Sequence, residues 1–458
     1  MAGRVHRRPG LWLAIYPNAL ALVAHSRPRG DQRRPGGLRA GHRRLEILVR
    51  HAVWFALLGL VAGHSVLAAE GDTFRPYVSV NQVYDDNLFR LDDNETTAFS
   101  RSDYFRVLEA GLNVDWKPGQ QQFLLDIGKT LIRYNSNDFL DFDGDNLSGT
   151  WNWRLGNHVK GKLGTSRTTS QSSFENIGLV NNSVENTQRF ARADWEFHPR
   201  WQLGLGVNAL EKINSEPSQL SDDLERLARD LTLAYRTPKG SKLSAQIRQA
   251  DADYPNLATL SQVLFFVDVA DNSYEQTEYN LLGDWQASGK LRIESKVGWV
   301  ERKYRNEFTT PPPSTIVTGF FDRPDFSGLV GRLEGDWFPT GKTLVNAAVY
   351  RELGGTTDTN SSAVLKHGVA LNGVWLMREK WQLDLGVSYE NRDFRGDPDS
   401  SSGPQRQDDT VQSSLSISYT PISQVSLGAG VQSGYRDANV PGSSYQFNSV
   451  FVRARADF

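Results

Sequence analysis

After residue 69 the chain alternates apolar and polar residues with a period of two, segment after segment. In Gly111–Trp116 the apolar residues fall on every second position. The same holds for Asp230–Tyr235, Asn280–Trp285 (Leu282 excepted), Leu329–Trp337 and Leu415–Tyr419. Successive strand side chains point to opposite faces, so each segment carries one apolar and one polar face. A 3.6-residue period is sustained nowhere; Leu220–Arg229 comes nearest and runs straight into a strand pattern.

The connections between these segments alternate in length. Eight are short: Lys117–Gln120, Leu155–His158, Phe197–Arg200, Thr237–Ser241, Ala287–Lys290, Phe338–Gly341, Met377–Lys380 and Thr420–Gln424. Nine are longer and polar: Tyr84–Ser102, Asn135–Gly144, Thr169–Ser183, Ser215–Asp223, Asp253–Ser273, Lys303–Pro324, Glu352–Ser361, Asp393–Gln407 and Arg436–Gly442. Together they join 18 strands, and an even count places both termini at the short-turn end. The prediction is an all-β fold, a transmembrane antiparallel β-barrel of the outer membrane with about 18 strands and periplasmic termini. Each strand with its connection averages about 22 residues, room for a span of about 9–11 residues and a loop. A soluble sandwich or propeller carries structural aromatics too, but does not require long and short connections to alternate.

An aromatic residue closes the outgoing strand at nearly every short turn: Trp116, Trp153, Trp195, Tyr235, Trp285, Trp337, Trp375 and Tyr419. Phe123, Trp201 and Trp381 open returning strands. Their register is that of the apolar face, so they are expected to form a periplasmic aromatic girdle that serves insertion. In the last strand Val450, Val452, Ala454 and Ala456 share that face, while Arg453, Arg455 and Asp457 share the other. The terminal Phe458 resembles the signal read by the barrel-assembly machinery of Gram-negative bacteria.

The polar face is charged in both signs. Arg292, Glu294 and Lys296 alternate along one strand, and Arg332, Glu334 and Asp336 along another. With Asp115, Asp126, Arg192, Asp194, Arg248, Arg453 and Arg455 they are the expected lumen lining: cross-strand pairs holding a hydrated wall around a polar conduit. Eighteen strands are enough to enclose an aqueous channel.

Composition adds three constraints. The chain contains no Cys, which removes disulfides, thiolate metal sites and cysteine nucleophiles. Its net charge of −2 averages unlike parts: residues 1–69 hold 11 Arg and 2 acidic residues, and the other 389 hold 40 basic and 51 acidic residues. An acidic body of −11 argues against nucleic acid as a partner. Arg43–Ala69 places basic residues before an apolar run, Ala52–Ala62, and then Val66 and Ala68 at signal-peptidase spacing. This reads as a secretory signal peptide. Residues 1–42 read as an upstream start assignment, and residues 70–458 as a single barrel.

Local chemistry is sparse. His158, His198 and His367 lie far apart, and no G-x-S-x-G elbow occurs. Gly128–Thr130 and Gly341–Thr343 resemble the end of a phosphate-binding loop but lack its earlier glycine. Asp141–Asn146 resembles a calcium loop, yet Asn146 stands where glycine is required and Asn152 where the bidentate Glu belongs. No catalytic residue, metal or cofactor is therefore expected. Two long connections are unexpectedly apolar. One carries Val263–Val267; the other carries Pro311–Pro313 and Gly319–Phe321. Residues 261–270 are expected either to constrict the lumen or to continue strands above the membrane.

The run Val78–Leu91 (VSVNQVYDDNLFRL), Ser100–Asp103, Gly119–Phe123, Arg133–Asn135 and Leu140–Asn157 carries a family resemblance. It resembles the EpsL-type outer-membrane proteins of exosortase-linked exopolysaccharide operons, within the predicted β-barrel porins of the second type. The resemblance implies a part in exopolysaccharide biosynthesis and export, as a conduit for the polymer, and it carries no catalytic residues. The implied partners are outer-membrane lipid, the barrel-assembly machinery, the exopolysaccharide and periplasmic export proteins. A general diffusion porin and a non-conducting scaffold barrel remain open beside it.

Overall fold

In a computed structural model, the structure describes residues 73–175, 179–263, 266–307, 316–354, 363–396 and 405–458. The expected leader, residues 1–69, lies outside them. The strands run β1 (Phe74–Asp85), β2 (Asp103–Trp116), β3 (Gln122–Tyr134), β4 (Phe142–Leu155), β5 (Val159–Gln171), β6 (Ser183–His198) and β7 (Trp201–Asn214). Next come β8 (Leu224–Arg236), β9 (Lys242–Asp253), β10 (Ala258–Val263), β11 (Phe266–Ala270), β12 (Tyr274–Ser288), β13 (Leu291–Tyr304) and β14 (Ile316–Phe320). The chain ends with β15 (Phe326–Thr340), β16 (Thr343–Gly354), β17 (Ala363–Arg378), β18 (Trp381–Arg395), β19 (Gln407–Ile422), β20 (Val425–Ala438) and β21 (Tyr445–Asp457).

Eighteen of these form one antiparallel sheet, each strand paired with its neighbour along the chain. β1 pairs with both β2 and β21, which closes the sheet into a barrel without an edge. The closing seam is zipped to its end: Phe458 N–H donates to the Pro76 carbonyl at 2.7 Å. The eight short turns and nine long connections fall where the alternation places them, so both termini share the short-turn rim. The helix-like stretch resolves into a short 3-10 segment, Pro217–Asp222, followed directly by β8.

Register sorts the side chains by face. On β13, Leu291, Ile293, Val297 and Trp299 point outward, and Arg292, Glu294 and Lys296 inward. The outward set is continuous around the barrel, with Leu205, Leu281, Leu329, Val369 and Val452 among its exposed members. A water-soluble protein does not leave so large an apolar surface open. From Leu291 to Trp299 this belt spans roughly 20 Å, given about 3.3 Å per residue and a tilt of about 40°. No described helix is long and apolar enough to cross a membrane, so any crossing is made by the strands.

Candidate functional site

The lumen wall is a network of ion pairs built across neighbouring strands. Every expected lumen residue faces inward. Arg192 of β6 reaches Asp194 at 3.0 Å and Asp230 of β8 at 2.9 Å. Glu278 of β12 takes Lys296 at 2.8 Å from one side and Arg248 at 3.9 Å from the other. Arg292 bridges Asp284 at 2.8 Å and Glu294 at 2.7 Å, and Arg332 bridges Glu334 at 3.1 Å and Glu352 at 3.7 Å. Asp336 accepts from Asn346 at 2.9 Å, and Asp126 accepts from Asn146. Asp115 sits lowest, held by Lys117 of the adjacent turn at 2.6 Å. Arg455 pairs with Asp457 at 2.8 Å beneath the Tyr77 ring, whereas Arg453 has no ion pair among the described residues. These charges fix each other's positions, from the nearly buried Glu278 and Asp194 to the half-exposed Glu294 and Asp284.

At the long-loop mouth the wall is covered from inside. The connection after β1 turns into the barrel and buries Leu88, Phe89 and Leu91 against inward residues Val83, Phe105, Ile132, Tyr134 and Phe142, with Leu140 beside them. The sequence YDDNLFRL explains the turn. Asn87 caps it twice: its Oδ1 accepts from Leu91 N–H at 3.0 Å, and its Nδ2 donates to the Leu91 carbonyl at 2.8 Å. Asp85, wholly buried, takes Arg90 at 2.8 Å. Arg90 adopts a left-handed φ of 57°, and its guanidinium lies 3.6 Å over the Phe447 ring. Asp103 holds the next connection by accepting from the backbone N–H groups of Ser136 at 3.0 Å and Asn137 at 2.9 Å.

A second segment reaches across this mouth. Phe174, between β5 and β6, packs edge-on against Phe89 at 5.0 Å between centroids. The next residue, Glu175, meets Arg392 of β18 at 3.4 Å and Arg436 of β20 at 3.8 Å. Those strands stand six or more places away around the barrel, so Glu175 ties one side of the mouth to the other. Arg436 is fully buried and also touches Asp408 at 3.5 Å. Burial alone would raise the Glu175 carboxyl, but Arg392, Arg436 and the Tyr445 hydroxyl outweigh it and hold the group below its ordinary 4.5.

The two apolar connections behave differently from these. Their strands β10, β11 and β14 form a separate three-stranded sheet, with β10–β11 antiparallel and β11–β14 parallel. β10, β11 and β14 pair only with one another and continue no strand of the barrel sheet. Residues 264, 265 and 311–313 lie outside the described residues. Below the small sheet, Tyr254 joins the inward Tyr274 and Tyr304. Arg302 stacks 4.0 Å over Tyr274.

Outside, all eight short-turn aromatics point away from the lumen, with Trp116, Trp195, Trp285, Trp337 and Trp375 well exposed. Trp153, Tyr235 and Tyr419 are half-exposed, Trp153 lying over Gly161 of the neighbouring strand. Sequence reasoning missed a second row. Tyr84, Tyr104, Tyr279, Trp299, Tyr389 and Tyr435 also face outward, at the other end of the belt. Their signal was available, since they share the parity of the first row. The calcium-loop carboxylates diverge instead of converging: Asp143 pairs with Arg133 at 2.6 Å and Asp145 with Lys129 at 2.9 Å, on the outward face. His158 and His198 sit at short turns and His367 faces outward beside Arg351.

Residues 322–458, which include barrel strands β15 to β21 without β14, match a family model described as "Putative beta-barrel porin 2". No curated protein matches the sequence. Among solved structures, OccK1 (OpdK) of Pseudomonas aeruginosa is 10% identical over 84% of this chain and 99% of its own, with a TM-score of 0.46. A BenF-like porin from Pseudomonas fluorescens Pf-5 is 11% identical over 84% and 98%, TM-score 0.46. OccK3 (OpdO) of P. aeruginosa is 12% identical over 84% and 95%, TM-score 0.45. The protein is a closed 18-stranded antiparallel β-barrel with an apolar outer face, and its residues 322–458 are similar to a β-barrel porin family.

Proposed function

We propose that this barrel is a conduit in exopolysaccharide biosynthesis and export, passing polymer across the outer membrane from the short-turn end. The observation that carries the conduit reading is the lumen: a closed 18-stranded wall lined with mixed charge and amides, which offers a long path of weak contacts. A sliding polymer needs such a path, because tight sites would stall it. The EpsL-like run supports the polymer. Its YDDNLFRL stretch builds the inward-folded turn at the long-loop mouth, where a chain would leave. On this reading the short turns and both termini are periplasmic, Phe458 serves recognition by the barrel-assembly machinery, and the two aromatic rows sit at the two membrane interfaces. Deleting the gene tests it directly. Surface polysaccharide is expected to fall while polymer accumulates in the periplasm; unchanged surface polymer contradicts the proposal.

A general diffusion porin is the second reading, favoured by the width of an 18-stranded lumen. Liposomes containing the purified barrel would then pass small solutes freely, with no polymer phenotype on deletion.

A further inference from the structure

The paired wall described above has one sector where the pairing falls short. On β13 and β15, like charges also stand directly opposite, Glu294 across from Glu334 and Lys296 across from Arg332. There each has an opposite charge within reach: Arg292 for Glu294, Arg332 for Glu334 and Glu278 for Lys296. On β4 to β9 three opposed pairs are both basic, beside Lys160 opposite Asp194 and Arg248 opposite Asp230. Arg154 faces Lys160, Lys162 faces Arg192, and Arg236 faces Lys242. All six point into the lumen, and all but Arg192 lie within a few residues of the short turns at 156–158 and 237–241. Lys160 is matched by Glu196, and Arg192 by Asp194 and Asp230. Arg154, Lys162, Arg236 and Lys242 have no ion pair among the described residues. Three of these, Arg154, Lys162 and Arg236, are exposed; Lys242 is half-buried, within electrostatic reach of Asp194 and of the cations Arg192, Arg236 and Lys160.

Like charges directly across a strand pair are destabilising, and the nearby carboxylates relieve them only in part: Glu196 is shared by Lys160, Arg236 and Arg154, and Asp194 by Arg192 and Lys242. Structural needs alone would be met better by neutral side chains.

We infer that the β4–β9 sector of the short-turn mouth is a binding track for an anionic sugar polymer. Successive carboxylates of the polymer balance the excess of cations that Glu196, Asp194 and Asp230 leave in this sector. This deepens the conduit reading and rests on it for direction of travel: the track lies where polymer would enter. Each contact is a solvated, screened charge pair, weak alone and additive along the chain, which suits capture without arrest.

The probe is sodium oligogalacturonate, with dextran of equal size as the neutral control, titrated into the full-length folded barrel. Wild type is expected to bind oligogalacturonate, less so as salt rises, and to ignore dextran. The variant Lys162→Gln/Arg236→Gln/Lys242→Gln is expected to bind at least about tenfold more weakly. Removing mutual repulsion should leave its folded fraction unchanged, read by the mobility shift of heated against unheated barrel. Equal affinity in wild type and variant, or no binding by wild type, overturns the inference. Conductance in planar bilayers separates the two claims. A barrel that binds oligogalacturonate but carries no current keeps the anion track and loses the conduit. A conducting barrel indifferent to the polyanion loses the track alone.

Discussion

Glu175 shows how one side chain can organise a mouth. It is the carboxylate that joins two inner-wall arginines, Arg392 and Arg436, on different strands across the bore. Replacing it by Gln leaves Arg392 with Glu390 and Arg436 with Asp408 but removes the carboxylate between them, at a local cost of about 1–3 kcal/mol. Because the folded carboxyl lies below 4.5, its contribution is complete above that value and fades as pH falls through the depressed one. Hydrogen-exchange protection of the Ser172 amide, which bonds the Asn182 carbonyl at 2.9 Å, reads this. Corrected for intrinsic rates, protection is expected to hold from neutral pH down to about 4.5, then drop, and to be low at every pH in Glu175→Gln. Protection equal in both proteins contradicts the tie. Inside the wall, Tyr350 crosses Gly368 to donate to Glu390 at 2.7 Å, and a Cβ at Gly368 would overlap its ring. Gly368→Ala should cost about 1–3 kcal/mol of barrel stability in denaturant. Gly373→Ala, whose nearest neighbour would be Leu385 Cβ at 3.9 Å, should cost nothing measurable. None of these contacts is legible in sequence, because Glu175 and Arg436 stand 261 positions apart and only barrel closure brings them together.

Strands and turns, by contrast, are written locally. Period two follows from the pleat, and the side facing lipid must be apolar at every outward position, so β13 or β15 can be read from its own residues. The loops obey no such rule. Val263–Val267 stood out because its apolar residues are consecutive, whereas Leu88, Phe89 and Leu91 are interleaved with an arginine and look like an ordinary polar turn. Yet the latter form the buried cluster, since Asn87 and Asp85 fold them back onto inward Phe105 and Tyr134. The lipid-facing rings are a property of the elements as well. Trp285→Ala with Trp337→Ala should lower the yield of inserted barrel while leaving permeation per barrel unchanged, because both rings point away from the bore. Tyr279→Ala with Trp299→Ala should do the same from the other end of the belt. A selective loss of permeation in either pair would contradict their outward placement.

For the whole molecule, fold and function rest on one geometric fact: a sheet closed between β1 and β21 separates an apolar outer surface from a charged interior. The even strand number and the shared rim of the termini followed from counting connections, whereas the inward-folded mouth needed coordinates. The most direct measurement uses the natural absence of Cys. Single Cys substitutions along β13, at each position from Leu291 to Trp299, are introduced into the full chain, folded in liposomes and exposed to a charged, membrane-impermeant thiol reagent. The account predicts rapid labelling at 292, 294 and 296 and protection at 293, 295 and 297, a period of two with the charged positions wet. Labelling that is uniform along the strand, or strongest at the apolar positions, would contradict the barrel with its aqueous lumen.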